Sequence, residues 1–305
     1  MNKQEQVKAY LEYCEYRKLL DSKTLKAYRI DLRQYFSFLD QNEPEKEILE
    51  GYITDLHKKY KQKTVKRKLA SVKAFYNYLE EEGIIDENPF RKIRVKFKES
   101  IILPRIIPRN EIEALLNYMH AHPAIESREK KICWLRDLSV VEMFFATGAR
   151  VYEISNIRKE CVDLDSGTIR FMGKGGKERY VQIGENSILK LLKKYYYENK
   201  EAIRRSGYFF VNQRGYRFTE QSIRLMLKKY TRLAGIDRNI TPHMFRHSFA
   251  TYLIEEGVDV SCVQQMLGHS SIKTTQIYIH VAAKRQAEIL RSMHPRNHMK
   301  IISTA

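Results

Sequence analysis

Cysteine is scarce in this 305-residue sequence: Cys14, Cys133, Cys161 and Cys262 stand far apart, with no C-x-x-C pair among them. That spacing argues against a disulfide framework and against a thiolate zinc site, and the expected setting is a reducing cytoplasm. No apolar run approaches the roughly 18 residues that a membrane helix needs. The opening MNKQEQVK has no apolar core of a secretory signal, so neither a membrane partner nor export is expected. No H-E-x-x-H run and no carboxylate cluster marks a Mg²⁺ or Zn²⁺ site, and no cofactor is expected. Negative charge is short as well, with 37 Asp and Glu against 55 Lys and Arg, a net +18. Hydrophobic residues still make up 43%, enough to bury real cores and to exclude a disordered polycation. Such an excess of positive charge either serves a polyanion, usually nucleic acid, or is a generically basic surface.

At about 150 residues per domain, the length predicts two domains. Residues 1–98 carry 22 basic and 16 acidic side chains and the remainder 33 and 21, so no single charged tail explains the total. The stretch KKYKQKTVKRKLASVK at 58–73 holds eight basic residues and no acidic one: Lys58, Lys59, Lys61, Lys63, Lys66, Arg67, Lys68 and Lys73. Val65, Leu69, Val72, Phe75, Tyr76 and Leu79 recur there at three- and four-residue steps, one face of a helix, with Thr64 as the expected N-cap. The basic surface is either a solvated helix face or a row of phosphate contacts; the absence of any offsetting acid favours phosphate.

The other early segments also read as helices. Val7, Tyr10, Leu11 and Cys14 share one face, and Ser22 is expected to cap a helix through Leu39. Asn88-Pro89 marks a stop. The first unit is therefore expected to be a four-helix bundle over 1–95. The segment RKIRVKFKESIILPRIIP lacks helical periodicity and reads as an extended linker, drawn at 96–108. Arg91, Lys92 and Arg94 at its basic start join the expected duplex contacts. Residues 109–305 read as mainly helical with a small antiparallel sheet. A helix capped by Asn110 and another near 132–146 are followed by strands GTIRFM and ERYVQI around a Gly173-Lys174-Gly175-Gly176 turn. Helices are expected near 186–200, 219–234, 242–256 and 260–267, with a strand signal YFFVN at 208–212.

Four segments concentrate polar residues that a core does not explain. In TGARVYEISNI, Arg150 emerges after a bend at Gly148, with Glu153 three residues on to orient its guanidinium. The pair is either a phosphate grip or an ordinary surface ion pair. GKGGKER lacks the G-x-x-x-x-G-K-[ST] spacing that cradles a nucleotide. It places Lys174 at a hairpin tip, either solvated or able to enter a groove and donate a proton. In TPHMFRHSFATYLIEEG, Thr241 and Pro242 start a helix and Gly257 ends it. His243 and Arg246 then share its first turn, where an anion is favoured, while His247 lies off that pair in a structural or surface role. LGHSSIKTTQIYIHV carries His269 after Gly268 and Tyr278 nine residues beyond, either a core tyrosine or a nucleophile. Two arginines, a lysine, two histidines and a tyrosine are what a metal-free attack on a phosphodiester requires. Cations neutralise the pentavalent transition state, an acid protonates the leaving oxygen, and a hydroxyl becomes the covalent nucleophile.

The set TGAR-V-x-E, GKG-x-K-x-R, H-x-F-R-H-S-F-A-T, LGHSS and T-x-x-Y-x-H-V, in this order, resembles the tyrosine recombinase (phage integrase) family, and is most similar to its short Xer-like members. Thr24, Tyr28, Asp31 and Leu32 resemble the family's helical core-binding domain, so the likeness spans nearly the whole chain. It implies an N-terminal SAM-like bundle and a C-terminal mixed α/β catalytic domain. It implies that Arg150 and Arg246 grip the scissile phosphate, Lys174 is the general acid, His243 takes the tyrosine proton and His269 hydrogen-bonds the phosphate. Tyr278 then forms a 3′-phosphotyrosyl link, with Glu153 supporting from behind. That link keeps the phosphodiester's energy, so rejoining needs no ATP.

The implied reaction is site-specific recombination of double-stranded DNA at an inverted-repeat core site, through a Holliday junction, for a mobile element or for dimer resolution. Four protomers assemble on DNA, and the segment after Tyr278, with Ile289 and Leu290, resembles the helix that docks on a neighbouring protomer. A second recombinase or an accessory protein is a further candidate partner, and no additional arm-binding domain is expected. Two other readings share these residues: a type IB topoisomerase-like nicking and resealing enzyme, and a DNA-binding protein without catalysis.

Overall fold

Apolar residues at helical spacing organise the first hundred residues of the computed structural model. Residues 2–95, 97, 105–121, 127–173 and 178–268 are described, and the chain divides into units 1–100 and 101–305. In the first, α1 (Lys3–Tyr16), α2 (Ser22–Leu39), α3 (Lys46–Lys59) and α4 (Gln62–Glu81) surround one core. That core is aromatic: Tyr10, Tyr35, Tyr52 and Phe75 are fully buried, and the hydroxyls of Tyr35 and Tyr76 share a 2.8 Å hydrogen bond. All six apolar positions expected to line α4 are buried.

The helix starts differ from expectation. Asp21 rather than Ser22 caps α2, its Oδ1 accepting from the Thr24 N–H at 2.9 Å; a carboxylate one residue earlier meets the same orphan donors. Thr64 caps nothing, because α4 begins at Gln62 after Lys61. The basic stretch is therefore not one helix but the end of α3, a break at Tyr60-Lys61 and the start of α4.

One charge reading also fails. Lys68 is 3% exposed, donating at 2.9 Å to Asp31 Oδ1 and also bonded to Gln34, while Arg67 reaches Asp31 from outside. A buried carboxylate needs a cation beside it, so Lys68 faces the core and not a duplex. Lys58, Lys59, Lys61, Lys63, Lys66, Arg67, Arg91, Lys92 and Arg94 are exposed and Lys73 is half-buried.

The second unit is built on α6 (Arg128–Thr147), whose residues 135–144 are buried on every side, the signature of a central helix. Helices α5 (Arg109–His120), α8 (Asn186–Glu198) and α11 (Pro242–Glu255) pack around it. The sheet has antiparallel order β1 (Val162–Asp163), β2 (Thr168–Met172), β3 (Glu178–Gln182), with Phe171 opposite Arg179. Helices α7 (Val151–Asn156), α9 (Lys200–Ser206), α10 (Glu220–Leu233) and α12 (Val260–Leu267) complete it. This is the expected fold class, mainly helical with a small antiparallel sheet.

Pro108, not Asn110, stands at the N-cap of α5, and YFFVN makes only isolated bridges, Arg158 to Tyr208 and Val211 to Arg217. The end of the expected linker belongs to the second unit. Ile107 is fully buried, its N–H donating to Ser248 Oγ at 2.8 Å and its carbonyl accepting from the Tyr252 hydroxyl at 2.5 Å. Among the described residues no helix is long and apolar enough to cross a membrane.

Candidate active site

The apolar helix α6 ends at Gly148, which takes a left-handed φ of +58° and turns the chain so that Arg150 opens α7 as its N-cap. Glu153, three residues on, folds back: its Oε2 accepts the Arg150 N–H at 2.7 Å and its Oε1 accepts Arg150 Nη1 at 3.0 Å. The surface-pair alternative for Arg150 and Glu153 therefore fails on the glutamate, which is 4% exposed. Arg150 keeps 38% of its side chain open, with guanidinium donors beyond the one Glu153 takes.

The stronger partner of Glu153 is Arg179 on β3. Arg179 Nη2 donates to Oε2 at 2.8 Å, Nη1 bonds Oε1, and Nε donates to the Met266 carbonyl at 2.9 Å. Burial by itself would raise the Glu153 carboxyl. The hydrogen bonds and charge of Arg179, followed by the Arg150 N–H and charge, outweigh it and hold the group below its ordinary range. Sequence reasoning gave Arg179 no role. Its signal was present, as the last residue of GKG-x-K-x-R and as an arginine on the same strand face as Val181.

Helix α11 begins as expected, with Thr241 at the N-cap and Pro242 in its first turn. Arg246 is 5% exposed, its Nη1 donating to the Gly148 carbonyl at 2.8 Å and its Nη2 to the Leu267 carbonyl at 2.5 Å. One guanidinium thus joins the TGAR turn to the end of α12. His243 stands exposed on the first turn. Partial desolvation, then the fields of Arg246, Arg150 and Arg224, push its imidazole below the ordinary histidine range. His243 shares the first turn of α11 with Arg246 and feels the charge of Arg150 and of Arg224 on α10, which the sequence reading passed over. His247 is half-buried, and desolvation, then His243 and Arg246, lower its imidazole too.

Lys174, His269, Tyr278 and the segment with Ile289 and Leu290 lie outside the described residues. Asp163-Leu164-Asp165 has D-x-D spacing but forms a turn, Asp163 Oδ1 accepting the N–H groups of Asp165 and Ser166 at 2.9 and 3.1 Å. Among the described residues no group of three or more His, Cys, Asp or Glu side chains is placed to hold a metal ion.

Residues 105–285 match the model of the phage integrase family, and residues 7–83 match the phage integrase N-terminal SAM-like domain. A tyrosine recombinase of Agathobacter rectalis is 46% identical over 97% of this chain and 98% of its own length. The chain belongs to the phage integrase family. This tyrosine recombinase is also 35% identical to the tyrosine recombinase XerC of Thermodesulfovibrio yellowstonii, over 96% and 97% of the two chains. Its fold matches the XerH site-specific recombinase bound to a palindromic difH substrate, with a TM-score of 0.73, 23% identity and coverage of 92% and 83%. Site-specific recombination is its activity, and the family match over residues 105–285 spans Arg150, Glu153, His243 and Arg246.

Proposed function

We propose that this recombinase cuts and rejoins double-stranded DNA at an inverted-repeat core site, with Tyr278 as nucleophile. The observation that carries the reading is Arg246, buried and bonded to the carbonyls of both Gly148 and Leu267. That bridge brings the turn bearing Arg150 to the residues that precede His269. Arg150 and Arg246 present cationic donors to the scissile phosphate, where charge develops in the transition state. An imidazole lowered below its ordinary range is neutral at pH 7, so His243 is in the form that accepts the Tyr278 proton. Tyr278 Oη then bonds to phosphorus as the 5′-oxygen leaves with a proton from Lys174, and His269 holds a non-bridging oxygen. The exposed cations Lys58, Lys59, Lys61, Lys63, Lys66, Arg67, Arg91, Lys92 and Arg94, with Lys73, contact the duplex backbone. Four protomers work together on DNA through the segment that follows Tyr278, in the cytoplasm.

The test uses a duplex that the protein selects from random sequence, nicked beside the cleaved bond so that the released end diffuses away. Wild type should accumulate a covalent protein–DNA adduct and Tyr278→Phe should form none. An adduct with the Phe variant identifies a different nucleophile, and no adduct with wild type refutes the cleavage reading.

A further inference from the structure

Strand β3 alternates, with Glu178, Tyr180 and Gln182 outward and Arg179 and Val181 inward. An arginine in a core-facing slot is costly unless its donors are matched, and here they are matched by two segments that bear the site. Glu153 divides its carboxylate between Arg179 and Arg150. Met266 and Leu267 supply consecutive carbonyls at the end of α12, one held by Arg179 and the other by Arg246. The guanidinium also stacks over Phe171 of the paired strand, 4.7 Å from the ring centre, which fixes its plane. In sequence, Arg179 follows Lys174 by five positions.

The charges show why a second arginine is needed. Arg150 and Glu153 alone form a neutral pair, in which the carboxylate competes with phosphate for the guanidinium. With Arg179 the trio carries a net positive charge, and Arg150, still oriented by its bonds to Glu153, keeps its other guanidinium donors for an anion. We propose that Arg179 is a positioning residue for strand cleavage. From the strand that follows Lys174 it neutralises Glu153 and registers the hairpin against Arg150 and the end of α12. The proposal rests on Arg150 and Lys174 acting at the cleaved phosphate.

Full-length Arg179→Met and Arg179→Lys are compared with wild type on the same nicked duplex, in single turnover at saturating protein, with affinity measured separately. One phosphate among many contributes little to binding, so affinity should stay within a few-fold. The cleavage rate constant should fall about 100-fold in the Met variant, the cost of a displacement near 1 Å. The adduct should still reach the wild-type yield. The Lys variant keeps the charge but lacks the planar fork that spans a carboxylate and a carbonyl, so its rate should lie between the two. A purely structural role predicts the opposite pattern, a lower yield from fewer folded molecules at an unchanged rate constant, and that result overturns the proposal. If the Met variant does not fold, the Lys variant decides: folded and cleaving at the wild-type rate, it overturns the proposal, and folded but slow, it supports it. Absence of an adduct with wild type refutes the cleavage reading itself, an outcome distinct from either variant result.

Discussion

Gly148→Ala tests whether the turn before Arg150 is held by contact as well as by backbone conformation. At φ +58° an alanine is strained, and its Cβ would stand 2.6 Å from Phe249 Cδ1 and 2.8 Å from Leu267 Cδ2. Leu267 is fully buried, and its carbonyl receives Arg246, so it cannot yield without disturbing that bridge. The left-handed conformation costs about 1–2 kcal/mol and overpacking a further 1–3 kcal/mol or so. Gly235→Ala is the control: φ is +70° there too, but no atom of the described residues lies within 4 Å of the new Cβ, leaving the conformational part alone. The single tryptophan, Trp134, lies on α6 and donates to the Met119 carbonyl at 2.7 Å, so its fluorescence reports the second unit and is blind to the first. At an m-value of about 2 kcal/mol/M, the urea midpoint should drop by about 1–2.5 M for Gly148→Ala and by about 0.5–1 M for Gly235→Ala. Equal shifts would refute the contact argument, and a Gly148→Ala shift no larger than experimental scatter would refute both parts.

Three further outcomes follow from the charges. Lys63→Gln with Lys66→Gln should weaken binding to every duplex sequence and reduce the slope of log affinity against log salt by up to about 2. Lys68→Met should leave that slope unchanged but cost the first unit about 3 kcal/mol in urea unfolding followed by circular dichroism; a changed slope contradicts its burial against Asp31. Glu153 is held below its ordinary 4.5 in the folded state, so its stabilisation is present above that value and is lost as pH falls toward the folded one. The gap in Trp134 urea midpoint between wild type and Glu153→Gln should therefore narrow on acidification past 4.5, and a constant gap contradicts the assignment.

Local chemistry is readable when one residue type at one spacing has few alternatives. Val65, Leu69 and Val72 placed the inner face of α4 correctly because helical periodicity is a property of the backbone alone. Pro242 after Thr241 marked the start of α11 for the same reason. The caps were missed where two capping residues stand side by side: Asp21 and Ser22 are both good caps, and only the packed geometry selects the carboxylate. YFFVN has strand composition, but its partners Arg158 and Arg217 meet it at single bridges, which composition does not encode.

By itself the sequence determined the two-part helical organisation, the family motifs and the identity of Arg150, His243 and Arg246 as candidates, because each depends on spacing along the chain. The tertiary structure alone decided where Lys68 and Arg179 sit. Lys68 and Arg179 look like neighbours of any surface lysine or arginine in the sequence, yet each faces a carboxylate buried by a distant segment, Asp31 36 or 37 residues from its two partners and Glu153 26 residues from Arg179. Burial makes such a charge costly until a counter-charge arrives, and which counter-charge arrives is settled by the fold.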